Sequence, residues 1–282
     1  MRMLFAGLLV AVLAFSAQGE SGNMGQIAFV SDRDGDAEIY LMNGDGSDPK
    51  RLTDQPGLDG HPTWSPDGKQ LAFVSNRDGN FELYSMDMDS GAVTRLTDSP
   101  APDIMPTWGP DGEIVFVSGR DGAPQLYAID PASRQVRRLT RSQTEDWTPS
   151  WSPDGGRIAY AAGGDLHLIG ADGTGMQALI EGEGINGVPS WSPDGARIVF
   201  QAQPEPAAKI SLLRILDVSS GAVRPLGKGF RADWSPDGRR LAVERMEEEG
   251  DNREIYIVAA DGSGLRNLSN NDAKDEYPAW RP

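Results

Sequence analysis

Trp64-Ser65-Pro66-Asp67-Gly68 is the stretch on which the reading of this chain turns, because the sequence keeps returning to it. It recurs intact at 151–155, 191–195 and 234–238. A variant, Trp108-Gly-Pro-Asp-Gly112, stands between the first two copies, and a truncated one, Trp280-Arg-Pro282, comes last. Successive tryptophans lie 44, 43, 40, 43 and 46 residues apart. Self-similarity at a period in the forties marks a repeat architecture. Proline second and glycine fourth are what a type I turn favours, so each copy reads as a tight turn after a short Trp-ending strand.

Working outward from the turn, each unit carries the same pieces. Gln70-Leu-Ala-Phe-Val-Ser75 reads as a strand, Asn76-Arg-Asp-Gly79 as a turn, Phe81-Glu-Leu-Tyr84 as a second strand and Thr94-Arg-Leu-Thr97 as a third. Upstream, residues 54–61 read as a loop leading to the Trp strand Pro62-Thr-Trp64. The fourth unit shortens the Arg-Asp-Gly turn to Gly163-Gly164. The fifth replaces it with Gln203-Pro-Glu-Pro-Ala-Ala208, and the sixth stretches it into an acidic run, Glu247 to Asp251. Length changes of this kind belong at exposed turns. Four short strands per unit and no helical period predict an all-β, six-bladed β-propeller of four-stranded antiparallel blades. The chain begins with the strand that follows the turn and ends with the one that precedes it. The C-terminal Trp strand is therefore expected to complete the N-terminal blade.

The first nineteen residues stand apart. Arg2, an apolar run from Leu4 to Phe15 and the small residues near Gly19 have the form of a secretory signal peptide. That division gives a signal at 1–19 and a propeller over 20–282, and a periplasmic or secreted protein. A formal charge of −16 argues against nucleic-acid and anionic-membrane partners. With no cysteine, an oxidising compartment offers no disulfide, so packed sheet must supply the stability.

The unit Pro-x-Trp-Ser-Pro-Asp-Gly-x-x-Leu/Ile-Ala-Phe-x-Ser-x-Arg-Asp-Gly-x-x-Glu-Ile-Tyr, repeated over 26–282, resembles the TolB-like propeller repeat. The family's namesake carries an α/β domain before its propeller, whereas only a short joint, Glu20 to Gly25, precedes the first strand here. A propeller-only chain is therefore expected. The resemblance implies a protein-binding role at the bacterial cell envelope. It also implies that the loops entering the inner strands meet the partner, a peptidoglycan-associated lipoprotein in that family.

Enzyme chemistry finds little support in the residues. The two histidines, His61 and His167, fall in different units, and there is no thiol for a zinc site. Neither a Gly-x-Ser-x-Gly elbow nor a phosphate-cradling Gly-x-x-x-x-Gly-Lys occurs. Asp32-Arg-Asp-Gly-Asp36 starts like a calcium loop, but Ala37 stands at its glycine position and Asn43 at its bidentate glutamate position. Arg33, Arg77 and Arg120, beside the repeated acids Glu38 and Glu82, are expected to form surface or inter-turn ion pairs that contribute little individually. No cofactor is called for, beyond a channel cation such as calcium.

Counting three residues back from each strand-opening proline finds Asp59, Asp103, Asp146, Asn186 and Asp275, with Gly229 in the unit that has Ala232 for proline. In a six-bladed ring, equivalent positions share one circle. These residues either cap their own loops as Asx turns or face one another as an acidic mouth that holds a cation or a basic partner group. The two residues that follow differ in every unit: Gly60-His61, Ile104-Met105, Trp147-Thr148, Gly187-Val188, Phe230-Arg231 and Glu276-Tyr277. Aromatic and arginine anchors are what protein interfaces use. The partner-binding set expected from sequence is therefore Asp59, His61, Asp103, Met105, Asp146, Trp147, Asn186, Phe230, Arg231, Asp275, Glu276 and Tyr277. The competing reading is a small-molecule or cation-binding propeller, or an enzyme of that kind, that uses the same mouth.

Overall fold

The computed structural model describes residues 24–182, 184–204, 211–246 and 252–282. The signal segment 1–19, most of the fifth unit's turn and the acidic run 247–251 lie outside the described residues. Six four-stranded antiparallel sheets make six blades. Blade 1 takes β1 (Gln26–Ser31), β2 (Glu38–Asn43) and β3 (Lys50–Arg51). Blade 2 is β4 (Asp59–Trp64), β5 (Gln70–Ser75), β6 (Glu82–Asp87) and β7 (Val93–Arg95). Blade 3 is β8 (Asp103–Trp108), β9 (Ile114–Ser118), β10 (Gln125–Ile129) and β11 (Val136–Arg138). Blade 4 is β12 (Asp146–Trp151), β13 (Arg157–Ala162), β14 (Asp165–Gly170) and β15 (Gln177–Ile180). Blade 5 is β16 (Ile185–Trp191), β17 (Arg197–Gln203), β18 (Leu212–Asp217) and β19 (Val223–Lys228). Blade 6 is β20 (Ala232–Trp234), β21 (Arg240–Met246), β22 (Arg253–Ala259) and β23 (Arg266–Asn267). The last strand, β24 (Asp275–Trp280), pairs with β1 and completes blade 1 as expected.

Each residue of the repeated turn has a visible task. Gly68 N–H donates to the Ser65 carbonyl (2.8 Å), and Gly68 sits at φ +66°, where a side chain would be strained. The Ser65 hydroxyl donates to Asp67 (2.7 Å) and accepts from Gln70 N–H (2.9 Å), while Asp67 accepts from Lys69 N–H (3.1 Å). The turn is thus stitched through side chains that compete with water for the backbone.

The tryptophans occupy the seams between blades. Buried side chains form six clusters, each shared by two adjacent blades, and each holds one repeat tryptophan. Trp64 and Trp234 also donate Nε1–H to backbone of the preceding inner strand, at Ala279 (3.1 Å) and Ser190 (3.2 Å). Trp108 differs: half-buried, it donates instead to Gly112 of its own turn (3.1 Å). The variant glycine beside it has a reason, because a Cβ on Gly109 would lie 2.7 Å from the Trp151 ring.

Replacing a large buried aromatic by alanine costs about 3–5 kcal/mol. Trp64→Ala is expected to lose stability in that range. Trp108→Ala, on a half-buried side chain, is expected to lose clearly less. Guanidinium unfolding of the two variants side by side tests the ranking.

Candidate functional site at the axial mouth

The structure begins the inner strands earlier than sequence reasoning placed them. Residues 59–61, read as loop, belong to β4, and the equivalents belong to β8, β12, β16 and β24. The reason is a β-bulge. In five blades two inner-strand residues stand opposite one aromatic residue of the next strand: Phe29, Phe73, Phe116, Tyr160 or Phe200. The first residue of each bulge is left-handed: His61 (φ 51°), Met105 (55°), Thr148 (50°), Val188 (51°) and Tyr277 (55°). None is glycine, and a β-branched residue such as Val188 pays most for this conformation. Blade 6, with Val243 at the aromatic position, has no bulge, and Arg231 takes the corresponding place.

The bulge decides which of the variable residues face the axis. His61, Met105, Thr148, Val188, Arg231 and Tyr277 line an axial cavity of about 300 Å³, with Thr63, Thr107, Ser150, Ser190 and Asp233 also in its wall. The His61 and Tyr277 rings lie 4.1 Å apart, and the Arg231 guanidinium stands 4.0 Å from the Tyr277 ring. Behind them the fully buried Glu244 accepts from Arg253 (2.7 Å), Arg231 (3.3 Å) and Tyr277 N–H (3.2 Å). Arg253 continues to Glu276 (2.8 Å) and stacks on Phe230 (4.7 Å). Half of the ring is therefore a charged, aromatic network. Met105, Thr148 and Val188 make the remainder apolar or hydroxylic.

Burial sets the protonation of this wall. Burial and the Arg231 charge push the His61 pKa down to about 3, so its imidazole is neutral. Burial pushes Asp233 up to about 6, against the bonds it accepts from Trp280 N–H (2.7 Å) and Ser190 Oγ–H (3.0 Å). Burial also raises Glu276, helped by the neighbouring Glu244.

The expected acidic mouth is not what the structure contains. Asp59, Asp103, Asp146, Asn186 and Asp275 are all buried, and none lines the axial cavity. Three of them are held by arginines instead: Asp59 by Arg77 (2.7 Å), Asp103 by Arg120 (2.6 Å) and Asp275 by Arg33 (3.0 Å). Those arginines were expected in surface or inter-turn pairs with Glu38 and Glu82. The two glutamates are taken instead by third-strand Arg51 (2.7 Å) and Arg95 (3.4 Å), and by Thr53 (2.5 Å) and Thr97 (2.6 Å). Among the described residues no three His, Asp or Glu side chains come together as a metal site.

Of the other expected site residues, His61, Met105, Arg231 and Tyr277 reach the cavity. Phe230 and Glu276 join it through Arg253. Trp147 does not: half-buried, it packs on the seam between blades 3 and 4, with its Nε1 3.3 Å from the Glu145 carboxylate. Sequence reasoning missed Asp233, Glu244 and Arg253. The signal was present, since Asp233 and Glu244 are acids where other units have Thr63 and Val74.

The family model described as the TolB beta propeller domain matches residues 10–99 and 56–167. The chain belongs to that family. The Tol-Pal system protein TolB of Anaeromyxobacter dehalogenans strain 2CP-C is 40% identical over 65 residues. That alignment covers 22% of this chain and 14% of the relative's length. TolB from Acinetobacter baumannii superposes with a TM-score of 0.81 at 24% identity, over 93% of this chain and 68% of that one. A putative TolB from Agrobacterium tumefaciens gives 0.69 at 18% identity, over 92% and 98%. At these identities the two structures speak for the fold. This TolB-family propeller thus shares its ring with them, while the mouth is described by its own residues.

Two measurements check the electrostatics. Arg120→Ala leaves Asp103 buried without its cation and is expected to cost about 3–5 kcal/mol. Arg137→Ala, at an exposed pair with Glu113, should cost about 0–1 kcal/mol in the same denaturant titration. His61 bears on pH dependence. An unfolded histidine takes up a proton near pH 6.5, whereas folded His61 does so only near pH 3. The unfolded state therefore binds more protons in that window, and stability falls as the pH drops through it. His61→Gln should gain stability relative to the parent progressively below about pH 6.5, read as a Tm difference that widens on acidification.

Proposed function

We propose that this TolB-family propeller is a periplasmic or secreted, non-enzymatic scaffold of the bacterial cell envelope. It binds a partner protein through the axial mouth. The observation that carries this reading is the ring of left-handed bulge residues. Five equivalent positions accept a conformation that costs on the order of 1–3 kcal/mol outside glycine, and five different side chains sit there. A bulge that served only the fold would be cheapest with glycine every time. Side chains retained under strain, different in each blade and aimed into one cavity, are a recognition surface.

Family membership and the likeness to a Tol-Pal system protein support an envelope partner, with a peptidoglycan-associated lipoprotein as the candidate. Binding fits the chemistry of the mouth better than turnover does. A base with a pKa of about 3, as at His61, is poorly matched to proton transfer near neutral pH. Arg231 and Tyr277 are the kind of anchor that dominates protein interfaces.

The experiment is capture from a periplasmic extract by residues 20–282, with the recovered protein identified by mass spectrometry and its affinity measured directly. Met105→Ala combined with Tyr277→Ala should weaken binding by about 30-fold, the loss of one strong anchor, with Tm nearly unchanged. Undiminished binding by the double variant would exclude this face.

A further inference from the structure

Blades 1, 2 and 3 each contain the same buried cation socket. In blade 2, the Arg77 guanidinium lies 5.4 Å from the Phe73 ring and 5.0 Å from the Tyr84 ring. It donates through Nε to Ser75 Oγ (2.8 Å) and through Nη2 to Asp59 (2.7 Å). Blades 1 and 3 repeat the arrangement with Arg33 and Arg120, ring distances spanning 4.8–5.3 Å. Aspartate, serine and two stacked rings thus define a site shaped for a planar cation.

Blade 4 keeps the socket but not its arginine. The six residues that carry Arg77 between β5 and β6 shrink there to Gly163-Gly164, at φ +61° and +92°. The register leaves no doubt about equivalence. Asp146 stands opposite Ala162 as Asp59 stands opposite Ser75, and Tyr160 opposite His167 as Phe73 opposite Tyr84. The two rings still pack together, 5.6 Å apart and tilted by 33°. Arginine and its serine acceptor have gone together, while the carboxylate and the aromatic pair remain.

What remains is left unsatisfied. Asp146 and Tyr160 are fully buried. Among the described residues, Asp146 Oδ2, Tyr160 Oη and His167 Nδ1 have no hydrogen-bond partner. Asp146 Oδ1 accepts from Ser142 (2.9 Å), on the 141–145 loop whose other residues are exposed. The nearest arginine of the preceding blade, Arg138, is committed to the Thr140 carbonyl (2.7 Å) and Asp121 (3.4 Å). Burial raises the Asp146 pKa, opposed by the hydroxyls of Thr140 and Ser142. Buried polar groups in folded proteins are rarely left this way without a reason.

We propose that the blade 4 socket takes a guanidinium from outside the chain: an arginine side chain of the bound protein, supplying in trans what Arg33, Arg77 and Arg120 supply in cis. The source of the arginine rests on the protein-binding role above; the existence of the site does not. The guanidinium inserts beneath the 141–145 loop, donates to Asp146 Oδ2, and stacks on Tyr160 and His167. Trp147, beside Asp146 on β12, then lies at the edge of the same contact. A chain of net charge −16 favours a basic partner segment over long range as well.

The test uses argininamide as probe and lysinamide as control at equal ionic strength. The readout is the His167 imidazole resonance, assigned by its survival in His61→Gln. Argininamide should shift it saturably at millimolar concentration, lysinamide should not, and Asp146→Asn should abolish the effect. A second variant supplies the arginine in cis: Ala162→Ser with Gly163-Gly164 replaced by the sequence of residues 76–81. It should no longer respond to argininamide, and its Tm should rise. No saturable shift in the parent, an equal shift with lysinamide, or a shift that persists in Asp146→Asn overturns the site. For the source, Asp146→Asn should weaken capture of the partner at least tenfold. Undiminished capture beside a genuine argininamide response would overturn the assignment to the partner, leaving the axial face untouched. Loss of the Met105/Tyr277 effect alone would overturn that face and leave this socket standing.

Discussion

The antiparallel pairing of β24 with β1 closes the ring, and every equivalence between blades depends on that closure. A sheet blade is buried on both sides only if it has two neighbours, and the six seam clusters supply a neighbour to each. The chain ends meet inside blade 1, and the seam between blades 6 and 1 adjoins that closing pair because β24 is the inner strand of blade 1. Trp280 fills its seam, and Arg281 reaches the Gly68 carbonyl of the next blade's turn (2.9 Å). Elsewhere around the axis a hydroxyl accepts the backbone N–H of a neighbouring inner strand, as Thr63 does from Trp108 (3.3 Å). At the closing joint the acceptor is a carboxylate, Asp233, at 2.7 Å from Trp280 N. Burial pushes its pKa up to about 6 in spite of the bonds it accepts.

The buried Asp–Arg pairs show how a repeat can use expensive interactions. A buried ion pair gains little over an apolar replacement, but removing one member is severe. The stacked rings soften the cost by desolvating a guanidinium that is itself weakly hydrated. Once the sequence commits to the aspartate, each blade must provide a cation or leave a carboxyl stranded. Blades 1 to 3 provide it. Blade 6 abandons the aspartate: a Cβ on Gly229 would already lie 2.7 Å from Leu213 and 2.8 Å from Val243.

The period of the Trp-Ser-Pro-Asp-Gly copies made the blade count, the strand order and the closing strand legible. Those depend on local turn chemistry and on phase, both written in one dimension. The β1 and β5 boundaries coincide with the sequence reading. The mouth was less legible. Residues 59–61 carry no strand signature, because the bulge breaks the two-residue alternation and its left-handed residue is followed by proline, and so His61 and Met105 read as loop. The aspartate circle was found at the right height with its direction left open between capping its own loops and facing the axis, since an inner strand alternates and spacing alone does not say which face meets the axis. Arg77 lies 18 residues from Asp59, and only the folded hairpin brings them together.

Function therefore has to be sought where the repeat is broken, and blade 6 is broken most. Ala232 replaces the proline, Asp233 a hydroxyl, Val243 the aromatic and Glu244 a valine. These changes are not independent. With a smaller residue at 243 the bulge disappears, and Arg231 enters the ring without left-handed strain. A guanidinium there requires a buried anion behind it, which Glu244 supplies, and Glu244 in turn holds Arg253 and the Tyr277 backbone. A blade serving only as a wedge in a ring would gain nothing from this exchange of apolar residues for a buried charge network. Concentrated at the axis, opposite an apolar arc of Met105 and Val188, the exchange gives a sixfold scaffold one distinct, polar side. A surface without internal symmetry is what recognition of a single partner in a single orientation requires.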